Sequence, residues 1–105
     1  MGSEREFRFG VLANGARDLA MWQETAATAE ALGYSSFLVP DHMGQEWAPA
    51  VGLALAAGVT SRVKLGPLML SVALRTPSVL YKELATLAQT AGSRLEIGLG
   101  AGWLS

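Results

Sequence analysis

Apolar positions in this chain follow two alternating rhythms. Short β-rich runs begin near Phe7, Tyr34, Val63 and Arg94, and the stretches between them carry apolar residues at helical spacing. Strand starts about 30 residues apart, with helices between, read as βα units of a parallel sheet. The predicted strands are Phe7 to Ala13, Tyr34 to Val39, Val63 to Leu70, and Arg94 to Gly100. In the first helix Leu19, Trp22, Ala26, Ala29 and Leu32 mark the buried face, Asp18 caps the start, and Gly33 sits at the C-terminal cap. Pro49 opens a short second helix, Ala50 to Val59. Thr76 caps a third with Pro77 at its first position, Leu80, Leu84, Leu87 and Ala91 share one face, and Gly92 ends it. Gly66 and Pro67 are unusual inside a central strand and point to a bulge there.

The fold class this predicts is α/β, with four parallel strands and three helices in the order β-α-β-α-β-α-β. A complete (β/α)8 barrel takes ~250 residues. The 105 residues here, with four βα units, read as half of one. On this reading residues 1–6 are a disordered or vector-derived N-terminus and residues 7–105 a single half-barrel domain. Isolated, such a half exposes two sheet edges, so self-association into a homodimer or higher oligomer is expected, with strand one of one copy pairing with strand four of another.

Composition agrees with a sheet needing cover on both faces. Half of the residues are hydrophobic and only 16% are charged, against an average near 25%, and mean hydropathy is +0.29. Net charge is −1 and the pI is near 5.7. No basic patch suggests nucleic acid and no charge run a membrane surface. The chain has no cysteine and one histidine, His42, which rules out thiolate chemistry and a multi-histidine metal site. No apolar run suits a signal or a bilayer span, so a cytoplasmic location is the default.

In βα barrels the chemistry gathers at the C-terminal ends of the strands. Those ends are Asn14-Gly15, Asp41-His42, the stretch from Leu68 to Arg75, and Gly98 to Trp103. His42 beside a carboxylate suits proton transfer, although a solvated His next to a turn-capping Asp fits equally. Gly98, Gly100 and Gly102 strip side chains from one face of a strand end, either to admit a flat ring or to allow tight packing. Arg75 is either an anion ligand or one side of a salt bridge. Trp47 either walls a pocket or covers the core.

Five blocks together resemble the bacterial luciferase-like monooxygenase superfamily, particularly its deazaflavin (coenzyme F420)-dependent oxidoreductase branch. They are FRFGV from Phe7, AEALGYSSFLVPDH (Ala29 to His42), RVKLGPLML (Arg62 to Leu70), RTPSVLYKELATL (Arg75 to Leu87) and SRLEIGLGAGW (Ser93 to Trp103). The resemblance covers an N-terminal half only. It implies FMN or coenzyme F420 at the C-terminal face of a barrel, with hydride transfer or oxygen activation there. By that resemblance His42 is the acid–base candidate and Asp41 a cofactor contact. The resemblance also implies a non-proline cis peptide at Leu68-Met69 backing the cofactor ring, with Gly100 to Gly102 approaching it from strand four. Trp103 stands where some F420-dependent relatives carry a catalytic glutamate, and the phosphate-binding half of the barrel is absent, so the isolated chain is expected to be inactive or to depend on oligomerisation. The competing reading is a non-enzymatic, self-associating half-barrel module.

Overall fold

The computed structural model describes residues 7–42, 44 and 46–101. In chain order it contains β1 (Gly10–Leu12), α1 (Leu19–Ala31), β2 (Ser36–Val39), α2 (Pro49–Ala57), β3 (Lys64–Pro67), β4 (Leu70–Ser71), α3 (Pro77–Ala91) and β5 (Leu99–Gly100). Two 3-10 turns, Val72–Leu74 and Gly92–Arg94, flank α3. All strand pairs are parallel. Gly10 faces Ser36 across β1 and β2, and Leu38 faces Gly66 across β2 and β3. β4 pairs with β5 through Leu70 with Leu99 and Ser71 with Gly100. A bridge from Leu65 to Leu95 joins the fourth segment to β3 as well. Segments therefore lie side by side in chain order, as successive βα units place them.

Two predicted strands are divided. The third breaks at Leu68-Met69 into β3 and β4. The fourth starts one residue late, because Gly92–Arg94 still turns as 3-10 helix, and Glu96 to Gly98 lie between its bridge and β5. The two segments approach most closely at Gly66, where a Cβ would lie 1.7 Å from the Glu96 carbonyl oxygen. The glycine at this point thus has a tertiary reason: the backbone of the parallel fourth segment lies where a side chain would be.

One face of the sheet, Phe37, Val39 and Leu65, packs under Trp22 and Ala26 of α1, Leu53 and Ala56 of α2, and Leu87 and Ala91 of α3. Trp22 centres this core. Its ring meets Phe37 edge-on at 5.3 Å and stacks on Trp47 at 4.7 Å, while its Nε1–H donates to the Gly52 carbonyl at 2.8 Å. That bond satisfies the one polar group of a fully buried indole. Trp47 therefore covers the core rather than walling a pocket. Its N–H also donates to the Asn14 carbonyl at 2.8 Å, tying the loop after β2 to the end of β1.

The helix faces are narrower than their apolar periodicity suggests. Trp22, Ala26 and Ala29 are buried, but Leu19 and Leu32 are 47% and 72% exposed. A helix of thirteen residues is roughly 20 Å long, whereas strands of three or four residues reach about 10 to 13 Å, so both helix ends overhang the sheet. In α3 Leu87 and Ala91 are buried, while Leu80 and Leu84 are only partly covered. Asp18 caps α1 as predicted, its Oδ1 accepting the Met21 N–H at 2.9 Å, and Gly33 follows the helix at φ +89°. Thr76 occupies the N-cap of α3 without a side-chain cap bond. Among the described residues no helix is long and apolar enough to cross a membrane.

Candidate functional site

The C-terminal end of β2 is joined to the segment beyond β3 by a buried polar knot. The Asp41 side chain is 1% exposed. One of its oxygens, Oδ2, accepts the Ser71 N–H at 2.8 Å and a bond from Arg75 Nη1. Its Oδ1 accepts Arg75 Nη2 at 2.9 Å. Arg75 Nη1 also donates to the Ser71 carbonyl at 2.9 Å. Paired, two-pronged contacts of this kind are the strong form of an ion pair. Burial by itself pushes the Asp41 pKa up. The Arg75 guanidinium, the Ser71 N–H and a smaller contribution from His42 outweigh it and hold the carboxyl below its ordinary value. The hydrogen bond to Asp41 raises Arg75 in turn. Arg75 is thus the salt-bridge side of the two sequence readings.

The knot frames an apolar turn. Leu68 and Met69 stand between β3 and β4, 48% and 53% exposed, and the peptide joining them is cis, as the resemblance implies. The Leu68 N–H donates to the Val39 carbonyl at 2.9 Å, so this turn lies two residues from Asp41 across the sheet. On its other side runs β5. A Cβ at Gly98 would meet the Pro67 carbonyl at 3.1 Å, and one at Gly100 would meet Met69 Cε at 3.3 Å. These two glycines therefore let β5 close on the turn. The Gly98 carbonyl accepts the Leu70 N–H at 2.7 Å, and the Gly98 N–H donates to Pro67 at 3.1 Å.

His42 follows Asp41 directly and is exposed, so an imidazole, an apolar turn and the glycine-edged β5 share one end of the sheet. A cavity of about 370 Å³ is lined by Leu38, Pro67, Leu68 and Gly98 together with Arg8 and Glu96. The Arg8 guanidinium reaches both Glu96 oxygens at 3.0 and 3.1 Å, joining the start of the first segment to the fourth. A larger groove of about 820 Å³ is lined only by residues of α2 and α3 and contains no strand end. Of the predicted site residues, the structure brings Asp41, His42, Leu68, Met69 and Gly100 to this one end. Gly102 and Trp103 lie outside the described residues.

Two arrangements escaped the sequence. Nothing local marks Arg75 as the partner of Asp41, 34 residues away. Glu30, near the end of α1, receives the N–H groups of Ser61, Arg62 and Val63. Burial raises its pKa, and these three donors more than reverse that. The Glu30 clamp fixes the entry to β3.

A parallel sheet flanked by helices, with its polar residues at the strand C-termini, defines part of a βα-barrel protein. The chain belongs to the luciferase-like monooxygenase family, whose model matches residues 6–105. It is 29% identical over 93 residues to the uncharacterized protein y4wF of Sinorhizobium fredii, covering 85% of this chain and 27% of that protein. Its fold superposes on the coenzyme F420-dependent tetrahydromethanopterin reductase of Methanopyrus kandleri with a TM-score of 0.79 at 29% identity, covering 96% of this chain and 28% of the reductase. It superposes on the oxygenating constituent of 3,6-diketocamphane monooxygenase of Pseudomonas putida, solved with FMN, with a TM-score of 0.82 at 22% identity, covering 94% and 30%. The chain therefore spans less than a third of the length of these proteins, and only part of their fold is present.

The strand-end face suits a flat ring system in its chemistry. Leu68 and Met69 present an aliphatic and thioether surface, soft enough to lie against an aromatic plane, and the exposed His42 follows the neighbouring strand end. No charged side chain of the knot is left to compete with such a ring, since the Asp41 carboxylate and both terminal nitrogens of Arg75 are engaged with each other and Ser71.

Proposed function

We propose that this chain is the N-terminal part of a flavin- or coenzyme F420-dependent oxidoreductase, and that the end of the sheet carrying His42, Leu68, Met69 and Gly100 is its cofactor-ring face. The observation that carries this is the half-exposed Leu68-Met69 turn, packed against Gly98 and Gly100 on one side and bonded to β2 just before His42 on the other. Membership of the family and the named cofactors of its structural neighbours support the same reading. Bound there, the cofactor supplies the centre that accepts or donates hydride, or that activates oxygen.

The chain's own residues then divide the work. Leu68 and Met69 back the ring and exclude water from one side of it. Gly100 keeps the flanking strand close to the turn. His42 holds or moves a proton at its imidazole, the side chain best suited to that near neutral pH. Asp41, which the family resemblance makes a cofactor contact, has both oxygens turned to Ser71 and Arg75 and contributes by holding the face together.

Fluorescence titration of the purified chain with FMN and, separately, with coenzyme F420 tests the proposal. Saturable quenching of one cofactor is expected, and its identity selects the branch. His42→Ala should then slow turnover of the bound cofactor more than it weakens binding. Absence of saturable binding with both cofactors would overturn the ring-face assignment for this chain, leaving a part of an oxidoreductase that is inactive alone or a non-enzymatic half-barrel module.

A further inference from the structure

We propose that Arg75 is a positioning residue for His42 and acts through Asp41. The inference deepens the ring-face reading and rests on it. His42 is one peptide bond from Asp41, whose side chain is all but sealed from solvent and accepts three donors. Two of those donors are the terminal nitrogens of Arg75. The third is the Ser71 N–H, two residues past the Leu68-Met69 turn. Arg75 Nη1 returns to the Ser71 carbonyl, closing a ring of contacts through Asp41, Ser71 and Arg75. Ser71 in turn pairs with Gly100 on β5. One guanidinium thereby fixes the end of β2, the far side of the apolar turn and the strand beyond it relative to one another.

Only a planar fork can do this. A lysine keeps the charge but has one nitrogen, which cannot bridge both carboxylate oxygens and a carbonyl in the same geometry. Without the fork, a buried carboxylate is left uncompensated. It relieves that by turning toward water, and the Asp41-His42 peptide moves with it. The backbone that carries His42 then moves relative to the Leu68-Met69 turn, while the helical core under Trp22, in which none of the knot residues takes part, stays packed.

His42 is the only histidine in the chain, so its imidazole C–H resonances are a single, self-assigned reporter. Spectra of the cofactor-free chain would be compared for wild type, Arg75→Met, Arg75→Lys and Glu30→Gln, at a temperature where circular dichroism shows each to be folded. Glu30→Gln loosens a clamp elsewhere in the molecule and serves as the control for stability alone. Both Arg75 variants should shift or broaden the His42 signals by more than a line width, and Glu30→Gln should leave them in place while lowering the melting temperature. Because Arg75→Lys keeps the positive charge, movement in that variant reports geometry, and it carries the test if Arg75→Met fails to fold. Superimposable His42 signals in wild type and Arg75→Lys would overturn the proposal, as would an equal shift in Glu30→Gln. No cofactor enters the experiment, so its outcome is independent of whether FMN or F420 binds.

Discussion

Gly66→Ala is the sharpest single perturbation of the architecture that builds the face. The added methyl carbon would sit 1.7 Å from the Glu96 carbonyl oxygen and 2.8 Å from its carbonyl carbon. Both neighbours are backbone, so no side chain can rotate away and the fourth segment must leave β3. Three bonds depend on that contact: Glu96 N–H to Leu65 at 2.9 Å, Gly98 N–H to Pro67 at 3.1 Å, and Leu70 N–H to Gly98 at 2.7 Å. At about 1 kcal/mol each, their loss amounts to about 3 kcal/mol. If the backbone shifts instead, the cost of overpacking is of similar size, about 1–3 kcal/mol. With urea slopes of about 1–3 kcal/mol per molar for small proteins, the unfolding midpoint should fall by roughly 1–3 M. Hydrogen exchange should localise the damage, with faster exchange at Leu70, Glu96 and Gly98 and retained protection at Ala13 and Lys64, whose N–H groups bond within the first three segments. Gly58→Ala is the matched control, since its Cβ would meet only the Leu55 carbonyl at an ordinary 3.7 Å, and it should change stability by no more than about 0.5 kcal/mol. Equal behaviour of the two variants would refute the close-approach argument.

Acid should unfold the chain through its two clamped carboxylates. Asp41 and Glu30 both have lowered pKa values, so the folded state binds fewer protons than the unfolded one; the stability they add is present above the ordinary carboxylate range of about 4 and is lost as pH falls below it. Urea midpoints should therefore drop more steeply in acid for wild type than for Asp41→Asn or Glu30→Gln, and parallel curves would contradict the assignment. Self-association is the other expectation. Phe7, Phe9 and Leu99 are 87%, 63% and 56% exposed, and β1 and β5 each have a single strand partner among the described residues. Sedimentation velocity should give a mass that rises with concentration above that of one chain, and a monomer at every concentration would remove it.

The alternation of strand and helix periods made the order of elements legible, because burial enforces those periods locally. Caps at Asp18 and Gly33 were legible for the same reason: each serves a bond or a backbone angle within a few residues. What escaped depended on distance. Leu19 and Leu32 carry the helical period of α1 but overhang a sheet whose short strands no local pattern reveals. Gly66 was visible as an anomaly, yet its cause is the Glu96 backbone thirty residues on. The site divides in the same way. His42, Leu68, Met69 and Gly100 could be named from strand ends and motif blocks, whereas Arg75 showed its partner only once the third and second segments were placed side by side. Glu30, serving three consecutive N–H groups at the mouth of β3, gave no sign in a sequence where it reads as one more exposed helix glutamate.

The proposed function requires that the end of the sheet holding His42 and the Leu68-Met69 turn receive a flavin or deazaflavin ring. Chemical-shift mapping on the nitrogen-15-labelled chain, titrated with FMN and with coenzyme F420, tests it most directly, because it detects weak binding and locates it. Saturable shifts should cluster at the amides of His42, Leu68, Met69, Gly98 and Gly100, with the residues of the α2–α3 groove unmoved. Shifts confined to that groove, or none with either cofactor, would contradict it.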